Sequence, residues 1–198
     1  MKYFIDTSEQ SEIDKWKDFV VGVTSNPALL YKVGITTSEF LNNNMSLFKN
    51  VFIQINSLQD IMNYRKNKTI FKVPLLITPE FNGYALLKQL IKDGRRACAT
   101  IVYDIGQFNY ACEVGSEFSV VLFAKNDNEF IVDECCDLKQ RKGYETKVVA
   151  ASFRSADDVF ECINDGADYA TIPPRIMEEV FSNKKVVNDY NEFYGENK

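Results

Sequence analysis

The chain has 198 residues, 45% of them hydrophobic, and a net charge of −5. That is enough for one sizeable core and predicts a single domain over residues 1–198. Lys and Arg are scattered, so no nucleic-acid footprint is expected; no apolar run is long enough to span a bilayer, and Asp6 arrives too soon for a signal peptide. Cys98, Cys112, Cys135, Cys136 and Cys162 make an odd count without a Cys-x-x-Cys pair, and histidine is absent. The composition therefore argues against zinc ligation and a disulfide framework, removes Ser-His and Cys-His catalysis, and predicts a reduced, cytoplasmic protein.

In chain order, Lys2–Asp6 is a short apolar run ending in a carboxylate, and Ser8 is the expected N-cap of a helix with Ile13, Trp16, Phe19 and Val20 on one face. Val20–Thr24 is a second strand, stopped by Asn26-Pro27 because proline forces its predecessor out of the helical region. A helical stretch through Phe40, Leu41 and Phe48 leads to a third strand at Val51–Ile55, and a short helix should reach about Lys66. The fourth strand runs from Thr69 to Thr78 and carries one lysine, Lys72, among apolar and β-branched residues. Helical spacing follows from Pro79 to Lys92, closed by Gly94.

The second half repeats the rhythm. Strands are expected at Ala97–Val102, Phe118–Phe123, Lys147–Ser152 and Tyr169–Ile172, with helices between them and one or two more after Pro173-Pro174. Eight short strands alternating with helices predict an α/β protein, a (β/α)8 TIM barrel with an additional C-terminal helix at about 184–195; a doubly wound open sheet is the alternative. In such barrels chemistry sits at the C-terminal ends of the strands. Those ends carry Asp6, Thr24 with Asn26, Gln54, Lys72, Thr100, Phe123, and Ser152 with Arg154. A lysine inside an apolar strand is expensive unless it is paired or loses its charge, and a desolvated amine suits Schiff-base chemistry. The bland alternatives are a snorkelling or edge-protecting lysine, and a helix N-cap at Ser155 beside a solvated arginine.

Tyr3-Phe-Ile-Asp-Thr-Ser8, Gly22-Val-Thr-Ser-Asn-Pro27, Phe71-Lys-Val-Pro74 and Val149-Ala-Ala-Ser-Phe-Arg154 resemble the transaldolase family, most closely its short members, which include fructose-6-phosphate aldolase. The resemblance implies a class I aldolase of the pentose phosphate route, working on sugar phosphates without metal or other cofactor. It implies that Lys72 forms the Schiff base, Asp6 takes the C4 hydroxyl proton, and Asn26 orients the substrate. Gln54 and Thr100 would hold the catalytic water, with Thr24 and Phe123 at the substrate, and Ser152 and Arg154 would bind its phosphate.

Three positions depart from the pattern of the family. Phe123 replaces the tyrosine of the aldolases, which favours transfer of the three-carbon unit. Gln54 replaces the glutamate of transaldolases, which favours its release, and Asn126 stands where a second phosphate-binding arginine is expected, beside Lys125. Transfer is the reading preferred, with release of dihydroxyacetone, or a catalytically silent barrel, as alternatives. Tyr190, Phe193 and Tyr194 form an aromatic stripe past the last strand; with the resemblance, it implies a homo-oligomer, a pentamer or decamer.

Overall fold

The computed structural model describes residues 1–57, 59–61, 64 and 68–195. Eight parallel strands close into a barrel in sequence order. Its elements are β1 (Lys2–Asp6), α1 (Gln10–Trp16), β2 (Gly22–Thr24), α2 (Pro27–Val33), α3 (Thr37–Asn44), β3 (Asn50–Gln54) and β4 (Thr69–Pro74), then α4 (Gly83–Lys92), β5 (Ala97–Val102), α5 (Ile105–Glu113) and β6 (Phe118–Leu122). The chain continues through α6 (Ile131–Lys142), β7 (Lys147–Ala151), α7 (Ala156–Asn164), β8 (Tyr169–Ile172), α8 (Pro174–Phe181) and α9 (Lys184–Tyr194). This is the (β/α)8 barrel with an added C-terminal helix.

Differences from the sequence reading are local. The expected helix through Phe48 is two helices: Gly34 ends α2 at φ 71°, and Thr36 opens α3 with a capping box to Glu39. The fourth strand stops at Pro74, and its following helix starts only at Gly83. Between β3 and β4 the described residues hold a single 3-10 turn, Gln59–Ile61, and the helix end expected near Lys66 lies outside them. Ser8 does not cap α1; Glu9 occupies that position without a side-chain bond.

Side chains alternate across the barrel wall. One set, including Ile5, Val23, Ile53, Phe71, Val73, Ala99, Val121, Val148 and Ala150, packs under the helices. The other set fills the barrel itself: Phe4, Phe52, Ile70, Cys98, Phe118, Val120, Val149 and Ala151, with Leu122 and Tyr169 against them. Four of these close a ring of aromatic contacts, Phe4–Phe52 at 4.8 Å, Phe52–Phe118 at 5.1 Å, Phe118–Tyr169 at 5.5 Å and Tyr169–Phe4 at 4.8 Å. The interior below the strand ends is thus a packed, mainly apolar plug.

Two glycines are required by close approach. A Cβ on Gly22 would overlap the Asn50 carbonyl oxygen across β2 and β3, and one on Gly83 would overlap that of Pro74. Gly83 therefore lets the start of α4 sit against the end of the lysine strand. Gln107 of α5 reaches back to donate its Nε2–H to Leu75 O at 2.9 Å, which secures the same strand end from the other side.

Candidate active site at the barrel mouth

The alternation that places Phe4, Phe52, Ile70 and Cys98 inside also turns inward the residues two positions further along each strand. These are Asp6, Gln54, Lys72 and Thr100, joined by Thr24 of β2, which pairs with Asp6 in the β1–β2 register. Gln54 and Lys72 are direct neighbours in the β3–β4 register. A polar layer thus lies on top of an apolar plug, and each member comes from a different strand.

Lys72 is only 6% exposed, and its Nζ donates to Ser25 O at 3.1 Å. Cys98 neighbours it on β5. Burial pushes that thiol up to about 12, although the Lys72 ammonium pulls the other way. Cys98 therefore stays a neutral thiol under the amine. No carboxylate forms an ion pair with Lys72 among the described residues. The amine thus stands among apolar strand residues against the Ser25 carbonyl, a setting suited to a nucleophile for carbonyl chemistry.

The end of β2 organises the acid–base side of the site. Thr24 Oγ1 donates to Asp6 Oδ1 at 2.7 Å, and the next residue supplies the carbonyl that holds Lys72. Ser25 is itself fixed through Ser8, the two hydroxyl oxygens lying 2.5 Å apart and buried. That pairing is why Ser8 is unavailable as a cap. Asn26 accepts from Leu29 N at 3.1 Å through Oδ1 and so caps α2, which leaves its Nδ2 donors for other partners. Sequence reasoning missed Ser8, Ser25 and Thr171 in this layer; Thr171 Oγ1 lies 2.5 Å from Thr24 Oγ1.

Strain concentrates at the same rim. Among the described residues two non-glycines have positive φ, Ile101 at 60° and Ser152 at 72°. Ile101 accompanies a register shift between β5 and β6 immediately after Thr100, and Ser152 is the residue after β7. Such outliers cost about 1–3 kcal/mol each and persist where the surrounding structure demands them. Here they set the exit directions of the chain beside Thr100 and Arg154.

Arg154 is exposed, its backbone N–H donating to Asp158 Oδ2 at 2.6 Å. Ser155 caps α7 in a capping box with Asp158, as the bland reading allowed, while the Arg154 guanidinium makes no ion pair among the described residues. Asn126 is spent on two loops: Nδ2 donates to Tyr103 O, after β5, at 2.7 Å, and Oδ1 accepts from Asn128 N at 3.0 Å. Lys125 beside it is exposed.

Phe123 is not part of the polar layer. It follows β6 and packs in the cluster between barrel and helices, whereas Leu122 packs against the barrel interior. Phase places Leu122: Phe118 and Val120 pack inside the barrel, so period two turns residue 122 inward, while Phe123 lies one residue past the strand. The inward end of β6 is consequently aliphatic, and it carries no hydroxyl.

A barrel mouth holding a buried amine, a hydrogen-bonded carboxylate, and amide and hydroxyl groups can form an imine with a carbonyl compound and move protons beside it. Comparisons with known proteins bear on the family of the chain. A family model described as Transaldolase/Fructose-6-phosphate aldolase matches residues 56–197. A "Probable transaldolase 1" of Listeria monocytogenes serotype 4b (strain F2365) is 27% identical over 192 residues, covering 91% of this chain and 90% of that protein. A "Probable transaldolase" of Bacteroides thetaiotaomicron is 26% identical over 222 residues, covering 98% of this chain and all of that protein.

Among solved structures, a thiamine phosphate pyrophosphorylase from Pyrococcus furiosus superposes with a TM-score of 0.62 at 12% identity, covering 95% of this chain and 96% of that one. A mandelate oxidase variant gives 0.61 at 11%, covering 88% of this chain and 66% of that one. These two likenesses show the barrel fold alone. The family match spans well over half of the sequence, and the chain belongs to the transaldolase/fructose-6-phosphate aldolase family.

Proposed function

We propose that this protein transfers a three-carbon dihydroxyacetone unit between sugar phosphates through an imine on Lys72. The observation that carries the reading is the buried Lys72 amine beside Gln54, with Thr24 and Ser25 tying it and Asp6 into one layer. In this reading the amine attacks the ketose carbonyl and, with loss of water, gives an iminium ion. Asp6 takes the proton of the C4 hydroxyl, the C3–C4 bond breaks, and an aldose phosphate leaves. The electron pair of that bond is held as an enamine on Lys72. An incoming aldose phosphate is captured by the enamine, Asp6 returns the proton, and water hydrolyses the imine. Gln54 and Thr100 are assigned to that water, Asn26 to the substrate hydroxyls, and Ser152 with Arg154 to the phosphate.

The choice of transfer over release rests on the inner end of β6. A hydroxyl there could hold a water to protonate the enamine, and neither Leu122, which faces the interior, nor Phe123, which does not, has one. Gln54 favours release, by the resemblance noted above. The test is fructose 6-phosphate consumption with and without erythrose 4-phosphate. Transfer predicts rapid consumption only with the acceptor; equal rates without it make the enzyme an aldolase that releases dihydroxyacetone.

The reading includes a closed homo-oligomer, pentameric or decameric. Val186, Val187, Tyr190, Phe193 and Tyr194 of α9 are each more than half exposed, and Phe19 and Phe181 expose a second aromatic patch around Trp16. Apolar surface on this scale is normally covered by another protein surface.

A further inference from the structure

Thr171 has no part in the mechanism above, yet it is 4% exposed, lies on β8, and touches Thr24 inside the barrel mouth. The direction of its hydrogen bond follows from counting protons. Thr24 carries one hydroxyl proton and gives it to Asp6 Oδ1 at 2.7 Å. The 2.5 Å contact between the two threonine oxygens must then be bridged by the Thr171 proton. The result is a directed chain, Thr171 to Thr24 to Asp6, across the three neighbouring strands β8, β2 and β1.

We propose that Thr171 is a positioning residue for Asp6, acting through Thr24. The proposal rests on the reading of Asp6 as the base. By occupying a lone pair of Thr24, Thr171 removes the alternative in which Thr24 turns its proton toward β8 and leaves the carboxylate unheld. It also polarises the Thr24 hydroxyl, which strengthens the bond to Oδ1. With Oδ1 engaged, Oδ2 is the oxygen left to accept the C4 hydroxyl proton. Both threonines are buried, at 1% and 4% exposure, so water does not readily substitute for the missing donor.

The test compares Thr171→Val, which is nearly isosteric and favoured in strands, with Thr171→Ser. Two readouts are taken on the full-length enzyme: borohydride trapping of the imine from fructose 6-phosphate, and single-turnover carbon–carbon cleavage. The expected result for Thr171→Val is normal trapping with cleavage slowed roughly tenfold, the scale of one neutral hydrogen bond. Thr171→Ser restores cleavage. Should the valine variant not fold, Thr171→Ala carries the same expectation. Unchanged cleavage in the valine or alanine variant overturns the proposal, as does equal loss of trapping and cleavage, or failure of serine to rescue. A wild-type enzyme that traps no imine defeats the underlying reading instead, which separates the two failures.

Discussion

Asp6→Asn separates imine formation from bond cleavage, and the hydrogen bonds of the site set the expected sizes. Thr24 donates to Asp6 Oδ1, and an asparagine amide offers an oxygen in the same place. The hydroxyl proton selects the amide orientation with oxygen toward Thr24, which puts the NH2 where the free carboxylate oxygen was. The bond survives in its neutral form, about half as strong as the charge-assisted one, so stability should change by less than about 1 kcal/mol.

Chemistry is affected far more, because an amide cannot accept the C4 hydroxyl proton. Losing a positioned general base costs at least about 10²-fold, or roughly 2.7 kcal/mol in the barrier. Rapid-quench measurement of aldose phosphate release gives cleavage, and borohydride trapping in parallel gives the imine. The expected outcome is near-normal trapping with cleavage slowed about 10²-fold or more. Near-normal cleavage in Asp6→Asn would refute the assignment and require another base.

Leu122→Tyr should raise acceptor-independent release of dihydroxyacetone, whereas Phe123→Tyr should not, because Phe123 packs with the larger cluster and not with the barrel interior; product analysis without erythrose 4-phosphate distinguishes them. Arg154→Gln should raise the KM for phosphorylated ketoses by roughly 10- to 100-fold, the worth of a charge-assisted bond, and leave unphosphorylated fructose little affected; steady-state kinetics on both sugars checks this. Truncation after Lys185 removes nearly all of α9 and should lower the assembly mass seen by light scattering, while a monomeric full-length chain or an unchanged mass would contradict the proposed ring.

Most of the site was legible because strands alternate. Asp6, Gln54, Lys72 and Thr100 each stand two residues beyond an inward apolar side chain, so a polar residue in that phase marks the mouth. The phase was lost at Val120-Val-Leu-Phe123, where every residue is apolar and nothing in the sequence distinguishes inside from outside. Thr171 was hidden for a related reason: Ile172 and the two prolines mark the end of the strand, and the threonine one step earlier looks like an ordinary strand former. Ser8 reads as a cap because its true partner, Ser25, is 17 residues away and comes near only when β1 and β2 pair. The break between α2 and α3 was overlooked although Gly34 and the Thr36-x-x-Glu39 box signal it.

The central claim is that Lys72 carries the covalent intermediate. Borohydride reduction in the presence of fructose 6-phosphate, followed by peptide mass spectrometry, tests it directly. A reduced three-carbon or six-carbon adduct on the peptide containing Lys72, absent from Lys72→Ala and Lys72→Arg together with turnover, is the predicted result. An adduct that persists in Lys72→Ala, or that maps to another lysine in the wild-type chain, would contradict the account.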